Sequence, residues 1–169
     1  MEIKVKYPIQ TLLGTHESWG PLILRTLMAI VIFPHGAQKL FGMYGGYGFT
    51  GAMEYFSSTV GMPYSLGLVV ILLETFGALL LLVGFATRFL ALSFTFLGLG
   101  IMFTTHLDNG FFMNWFGNQT GEGIEYFLLW IAITSSLTYM GAGKFSLDIW
   151  LHNRWLKSRE NHWVAPEKI

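Results

Sequence analysis

Six residues with chemistry to offer interrupt an otherwise apolar chain: His35, Gln38, Lys39, Glu74, His106 and Glu125. His35 and Lys39 are four residues apart, so on a helix they share a face, with Gln38 beside them. Three kinds of chemistry suit such a set. In the first, His35 or Lys39 hydrogen-bonds a carbonyl oxygen of a quinone-like ligand while Glu74 or Glu125 passes its proton. In the second, His35, Glu74, His106 and Glu125 are two nitrogen and two oxygen ligands for zinc, iron or copper, although no H-E-x-x-H or E-x-x-H spacing accompanies them. In the third, the carboxylates and histidines relay protons across part of a membrane. A purely structural network, for instance Glu74 with His35 and Glu125 with Lys39, would instead fix helix packing.

The elements that position these residues are set by composition. The chain of 169 residues is 53% hydrophobic and 17% aromatic, with only 12% charged residues. That is the profile of a membrane protein. Spanning a hydrocarbon core of about 30 Å takes roughly twenty apolar residues. Four windows meet that need, at Pro21 to Phe41, Ser65 to Gly84, Arg88 to Thr105 and Ile124 to Met140. The expected fold is all-α, a four-transmembrane-helix bundle, with residues 20–141 forming the bundle, 1–19 an amino-terminal arm and 142–169 an interfacial helix and tail. The GFATR connection is so short that the second and third helices must be antiparallel neighbours. Close helix contact in lipid favours small residues, here Gly77, Ala78, Gly98 and Gly100.

With this topology Glu74 lies roughly 13 Å and His35 roughly 9 Å inside the outer ends of their helices. His106 and Glu125 sit near the same side, so the four helices are expected to aim their polar groups at one outward-facing pocket. Pro34 frees the carbonyl of Ile30 and permits a kink beside His35. Phe41, Tyr44, Tyr47 and Phe49 are candidate walls, or else interface aromatics of a loop folded over the bundle. The glycines Gly42, Gly45, Gly46, Gly48 and Gly51 follow no strand and do not form a nucleotide fingerprint; they read as a tight, re-entrant or capping turn. A faint repeat pairs the first helix and His35 with the second and Glu74, then the third and His106 with the fourth and Glu125.

Other function classes fall away. Cysteine is absent, so the chain itself carries no disulfide, thiolate metal site or thiol-exchange chemistry. A net charge of zero without a basic run gives no hold on nucleic acid. No small-residue cleavage pattern follows the first apolar run, so a cleaved signal peptide is not expected. Lys4, Lys6, Arg25, Arg88, Lys144, Arg154, Lys157, Arg159 and Lys168 all fall toward one side, against Lys39 alone on the other, which predicts that both termini are cytoplasmic. Ser146 is placed to cap a carboxyl-terminal amphipathic helix presenting Leu147, Trp150, Leu151 and Trp155, with Trp19 and Trp163 completing an aromatic belt.

HGAQKLFG with its glycine-rich sequel, GMP before the second helix, ETFGALLLLVGFATR, and GAGKFSLD after the fourth together resemble the DoxX family over about residues 20 to 148. The resemblance implies a small four-helix protein of the bacterial inner membrane. Relatives of that kind include a subunit of a thiosulfate:quinone oxidoreductase and components of thiol-redox complexes. It carries over His35, Gln38, Lys39, Glu74 and Arg88 as motif positions, and it implies a partner redox subunit or a homo-oligomer in the bilayer. Thiosulfate oxidation does not carry over, because this chain supplies no sulfur nucleophile. The expected function is a membrane subunit of a redox system that binds a quinone-like or other small ligand at an outer-half site, with a non-catalytic assembly or anchoring subunit and a small proton-coupled carrier as alternatives.

Overall fold

The computed structural model describes residues 13–15 and 17–160, with the side chains of 158–160 left aside. The expectations for the amino-terminal arm before residue 13, including Lys4 and Lys6, and for Trp163 and Lys168 lie outside the described residues. Among those described the chain is all-helical, as its apolar periodicity requires. Helix α1 spans Trp19–Phe41, α2 Gly48–Glu54, α3 Tyr64–Val83, α4 Thr87–Asn109, α5 Glu125–Met140 and α6 Leu147–Glu160. Three of them, α1, α3 and α4, are long and apolar enough to cross a membrane. The fourth expected span, α5, is 16 residues long, about 24 Å at 1.5 Å per residue, and carries Thr134, Ser135, Ser136 and Thr138. It is less clearly apolar than the others, and it completes the bundle by packing along α4.

Helix pairs run antiparallel. Gly36 meets Glu74 while Arg25 meets Leu81, and Gly98 meets Trp130 while Arg88 meets Thr138. The bundle therefore has a basal end, where α1 and α4 begin and α3 and α5 finish, and a distal end bearing Lys39. Met28, Ile32, Leu81, Phe94 and Trp130 fill the core between the helices. Outward-facing Ile23, Leu27, Val69, Phe76, Phe89 and Phe96 leave a broad apolar exterior of the kind a bilayer covers.

Small residues set the close approaches, though not all those expected. A Cβ on Gly98 would lie 2.5 Å from the Trp130 ring, whose Nε1–H donates to the Phe94 carbonyl at 2.7 Å. Gly77 and Ala78 are buried in the same region. Gly100, by contrast, has nothing within 4 Å of a Cβ and makes no helix contact. The glycine-rich segment is more ordered than a turn. Gly42 ends α1 in the left-handed region at φ 71°, a short 3-10 turn covers Met43–Gly45, and α2 follows with a π turn over Tyr55–Thr59. Ala52, Met53 and Phe56 recur at helical spacing and bury against Val70 and Ile71, which explains why a helix forms despite the glycines.

Two arginines close the basal end. Arg25, 1% exposed, donates from Nε to Ala142 O at 3.0 Å, from Nη1 to the Leu81 and Leu82 carbonyls, and from Nη2 to Lys144 O at 3.1 Å and Phe145 O at 2.8 Å. Arg88 donates to Gly14 O at 2.9 Å, to Thr138 O at 2.6 Å and to the Tyr139 carbonyl. Each guanidinium thus serves carbonyls at the carboxyl end of the antiparallel partner helix, where the helical ladder runs out of donors; of these, Leu81 O also accepts from the capping Gly84 N at 3.0 Å. Buried Asp148 completes the clamp, accepting from the Ala86 and Thr87 amides at 2.7 and 2.9 Å and so capping α4. Ser146 caps α6 as expected, its Oγ accepting from Ile149 N at 3.3 Å. On α6, Leu147, Trp150, Leu151 and Trp155 gather toward one side, while Ile149 and Leu156 fall on the opposite one.

Candidate functional site in the distal half of the bundle

The sequence of α3 puts an acid in the middle of an apolar helix, and the backbone marks the spot. Leu73–Gly77 forms a π turn, an arrangement that re-aims a side chain and often accompanies a functional position. Glu74 is 3% exposed there. Helical side chains lean toward the amino terminus of their own helix, so Lys39 on α1 leans basally and Glu74 on antiparallel α3 leans distally. They meet: Lys39 Nζ lies 2.5 Å from Glu74 Oε2, with side-chain exposures of 27% and 4%. This is the one ion pair among the described residues.

Gly36 makes the meeting possible. A Cβ at this position would sit 2.5 Å from Glu74 C and from Thr75 N, and 2.6 Å from Glu74 O. The two backbones touch where the π turn bulges, and no rotamer change relieves a clash with backbone atoms. Thr75 Oγ1 donates back to Ile71 O at 2.8 Å within the bulge. Gly36→Ala is expected to cost about 3 kcal/mol, the upper part of the range for overpacking. Thermal unfolding in detergent measures it, with an unchanged melting temperature as the contrary result.

The other expected members take different places. His35 is exposed on α1, one turn before Lys39, and its side chain forms no hydrogen bond among the described residues. Gln38 donates from Nε2 to Tyr44 O at 3.3 Å and so ties α1 to the turn that follows it. Tyr44 is exposed, and Tyr47 is 89% exposed. His106 and Glu125 do not reach Glu74. Both organise the 110–124 loop: His106 Nδ1 lies 2.8 Å from Glu122 O with its ring on Phe127, and Glu125 Oε1 accepts from Met113 N at 2.8 Å. The distal polar groups are thus divided between an α1–α3 pair and an α4–α5 loop cluster. Among the described residues no three His, Asp or Glu side chains gather to hold a metal ion, so the four-ligand set is not assembled. The structural pairing drawn from sequence is also exchanged, since Lys39 bonds Glu74 and not Glu125.

Two contributors were visible in the sequence without their roles being legible. Gly36 stands inside HGAQKLFG, but only the facing π turn shows why a side chain is barred there. Arg25 reads as one more basal charge until its carbonyl partners are seen. An arginine seven residues into an apolar helix is the signal that could have found it.

Comparison with known proteins agrees with the resemblance. The sequence profile described as DoxX matches residues 20–107. A Bacillus subtilis (strain 168) protein described as "Putative oxidoreductase CatD" is 30% identical over 129 residues, covering 76% of this chain and 84% of that protein. No solved structure matches the chain. The matched region takes in α1 from Gly20, all of α3 and α4 as far as Leu107, with the Lys39–Glu74 pair and both clamp arginines inside it. The protein is a multi-pass membrane protein and belongs to the DoxX family.

Proposed function

We propose that the protein is the membrane subunit of a redox system and binds a quinone-like or other small ligand beside the Lys39–Glu74 pair. The carrying observation is the pair itself, an acid on a π turn in a membrane-spanning helix, met at 2.5 Å by a lysine that keeps 27% of its side chain exposed. Ionisable groups at such depth are costly, and they serve function more often than packing. The printed description of the Bacillus subtilis relative as an oxidoreductase supports the same class. In this reading Lys39 donates to a ligand carbonyl oxygen, and Glu74 and exposed His35 exchange protons. Electrons come from a partner subunit, because the cysteine-free chain has no thiol to supply them. Glu125 anchors the distal loop through Met113. The bundle sits in the bacterial inner membrane with its basal end, Arg88, Lys144 and Lys157 included, toward the cytoplasm.

A second reading rests on Gly36. The pair bridges α1 and α3 at their tightest contact, as a packing determinant of a non-catalytic anchor would. Titrating the purified protein with a quinone analogue such as decylubiquinone separates the two. The redox reading expects ligand-linked stabilisation, about 2.7 kcal/mol at a hundredfold excess over Kd, and its loss in Glu74→Gln. Equal binding by the natural chain and the variant removes Glu74 from the site, and no stabilisation at all leaves the anchor.

A further inference from the structure

The basal end holds a feature that neither the ion pair nor the clamp uses. An open cleft of about 1030 Å³ lies between the 144–147 turn and α6, at the foot of α3. Its apolar wall is Val83, Leu147 and Trp150, all exposed. Val83 continues the outward-facing ridge of Phe76, Leu79 and Leu80, so the cleft opens onto the surface that lipid chains cover. Lys144 and Lys157 line the cleft, and Glu17 is the one acidic residue among the lining. Lys144 is held in place, its Nζ lying 4.7 Å over the Trp19 ring, which packs edge-on against Phe145 at 5.8 Å.

The charges near this cleft are unequally engaged. Arg25, Arg88 and Asp148 are taken up by backbone groups, whereas Lys144 and Lys157 have no acidic partner among the described residues. Two ammonium groups without an acidic partner beside an apolar wall, at the level where an aromatic cluster marks the membrane interface, match a phosphodiester headgroup with its acyl chain. We infer that this cleft is a binding site for an anionic phospholipid, its phosphate between Lys144 and Lys157 and one acyl chain against Val83, Leu147 and Trp150.

The test uses the full chain in detergent and a fluorescent phosphatidylglycerol, with phosphatidylcholine and inorganic phosphate as competitors. Phosphatidylglycerol is expected to bind, and the Lys144→Gln/Lys157→Gln variant to bind about 25-fold more weakly, from about fivefold per lysine. Phosphatidylcholine should compete poorly, and inorganic phosphate not at all. Equal competition by phosphatidylcholine, or unchanged affinity of the double variant, overturns the assignment; displacement by inorganic phosphate overturns the lipid as occupant. Should the double variant fail to fold, Glu17→Gln serves in its place. Removing that repulsion should tighten binding about fivefold, and no change counts against the site.

Discussion

Replacing Arg25 by leucine is expected to cost about 5 kcal/mol or more, enough that little folded protein accumulates. The side chain is 1% exposed and serves carbonyls of Leu81, Leu82, Ala142, Lys144 and Phe145. Leucine fills part of the volume and satisfies none of them, although Leu81 O keeps its bond from Gly84 N at 3.0 Å. Each carbonyl left buried without a donor costs about 1–3 kcal/mol, and water reaches only some of them after local opening. Asp148 would also lose its nearest buried cation while still holding the start of α4. Arg25→Lys should fall between, since an ammonium has three donors on one point and cannot spread over five acceptors. Size-exclusion profiles and thermal unfolding in detergent read the series. Equal melting of the natural chain and Arg25→Leu would mean that the 142–148 turn holds without its clamp.

The Lys39–Glu74 pair should respond asymmetrically. Lys39→Met leaves a carboxylate whose side chain is 4% exposed without its cation, and breaking a buried pair from one side costs about 3–5 kcal/mol. Glu74→Gln leaves an ammonium whose side chain is already 27% exposed and can reach the distal surface, at a cost of about 1 kcal/mol. Removing both charges with Lys39→Met/Glu74→Leu should restore most of the stability, because an apolar pair needs no desolvation. If the double variant melts like the natural chain yet no longer responds to a quinone analogue, the pair is kept for ligand chemistry. If it stays as unstable as Lys39→Met, the pair is part of the packing. Thermal unfolding of the natural chain, Lys39→Met and the double variant, with and without the analogue, distinguishes the outcomes.

The α1–α3 and α4–α5 pairs share a construction that the faint repeat of the sequence, drawn on histidines and glutamates, does not contain. Each is closed basally by an arginine from its first helix on the carbonyls ending its second. The repeat drawn from His35 and Glu74 against His106 and Glu125 does not extend to their contacts. The first half joins Lys39 to Glu74 across helices, and the second uses His106 and Glu125 to shape a loop.

What the sequence determined by itself is what composition and period control. Long apolar windows must be helices in a bilayer, because their backbone groups can find partners only within the segment, and the GFATR turn fixes two of them as antiparallel neighbours. The cap at Ser146 and the family likeness were legible for the same local reason. The tertiary structure alone decided which polar groups meet. Four residues at similar depth share a pocket only if the helices are rotated to face one another, and that rotation is set by contacts such as Gly36 on the Glu74 bulge and Gly98 on Trp130. Spacing along a chain records depth and local face. It does not record the angle at which one helix presents that face to another, and so Lys39 found Glu74 while His106 and Glu125 turned to the loop.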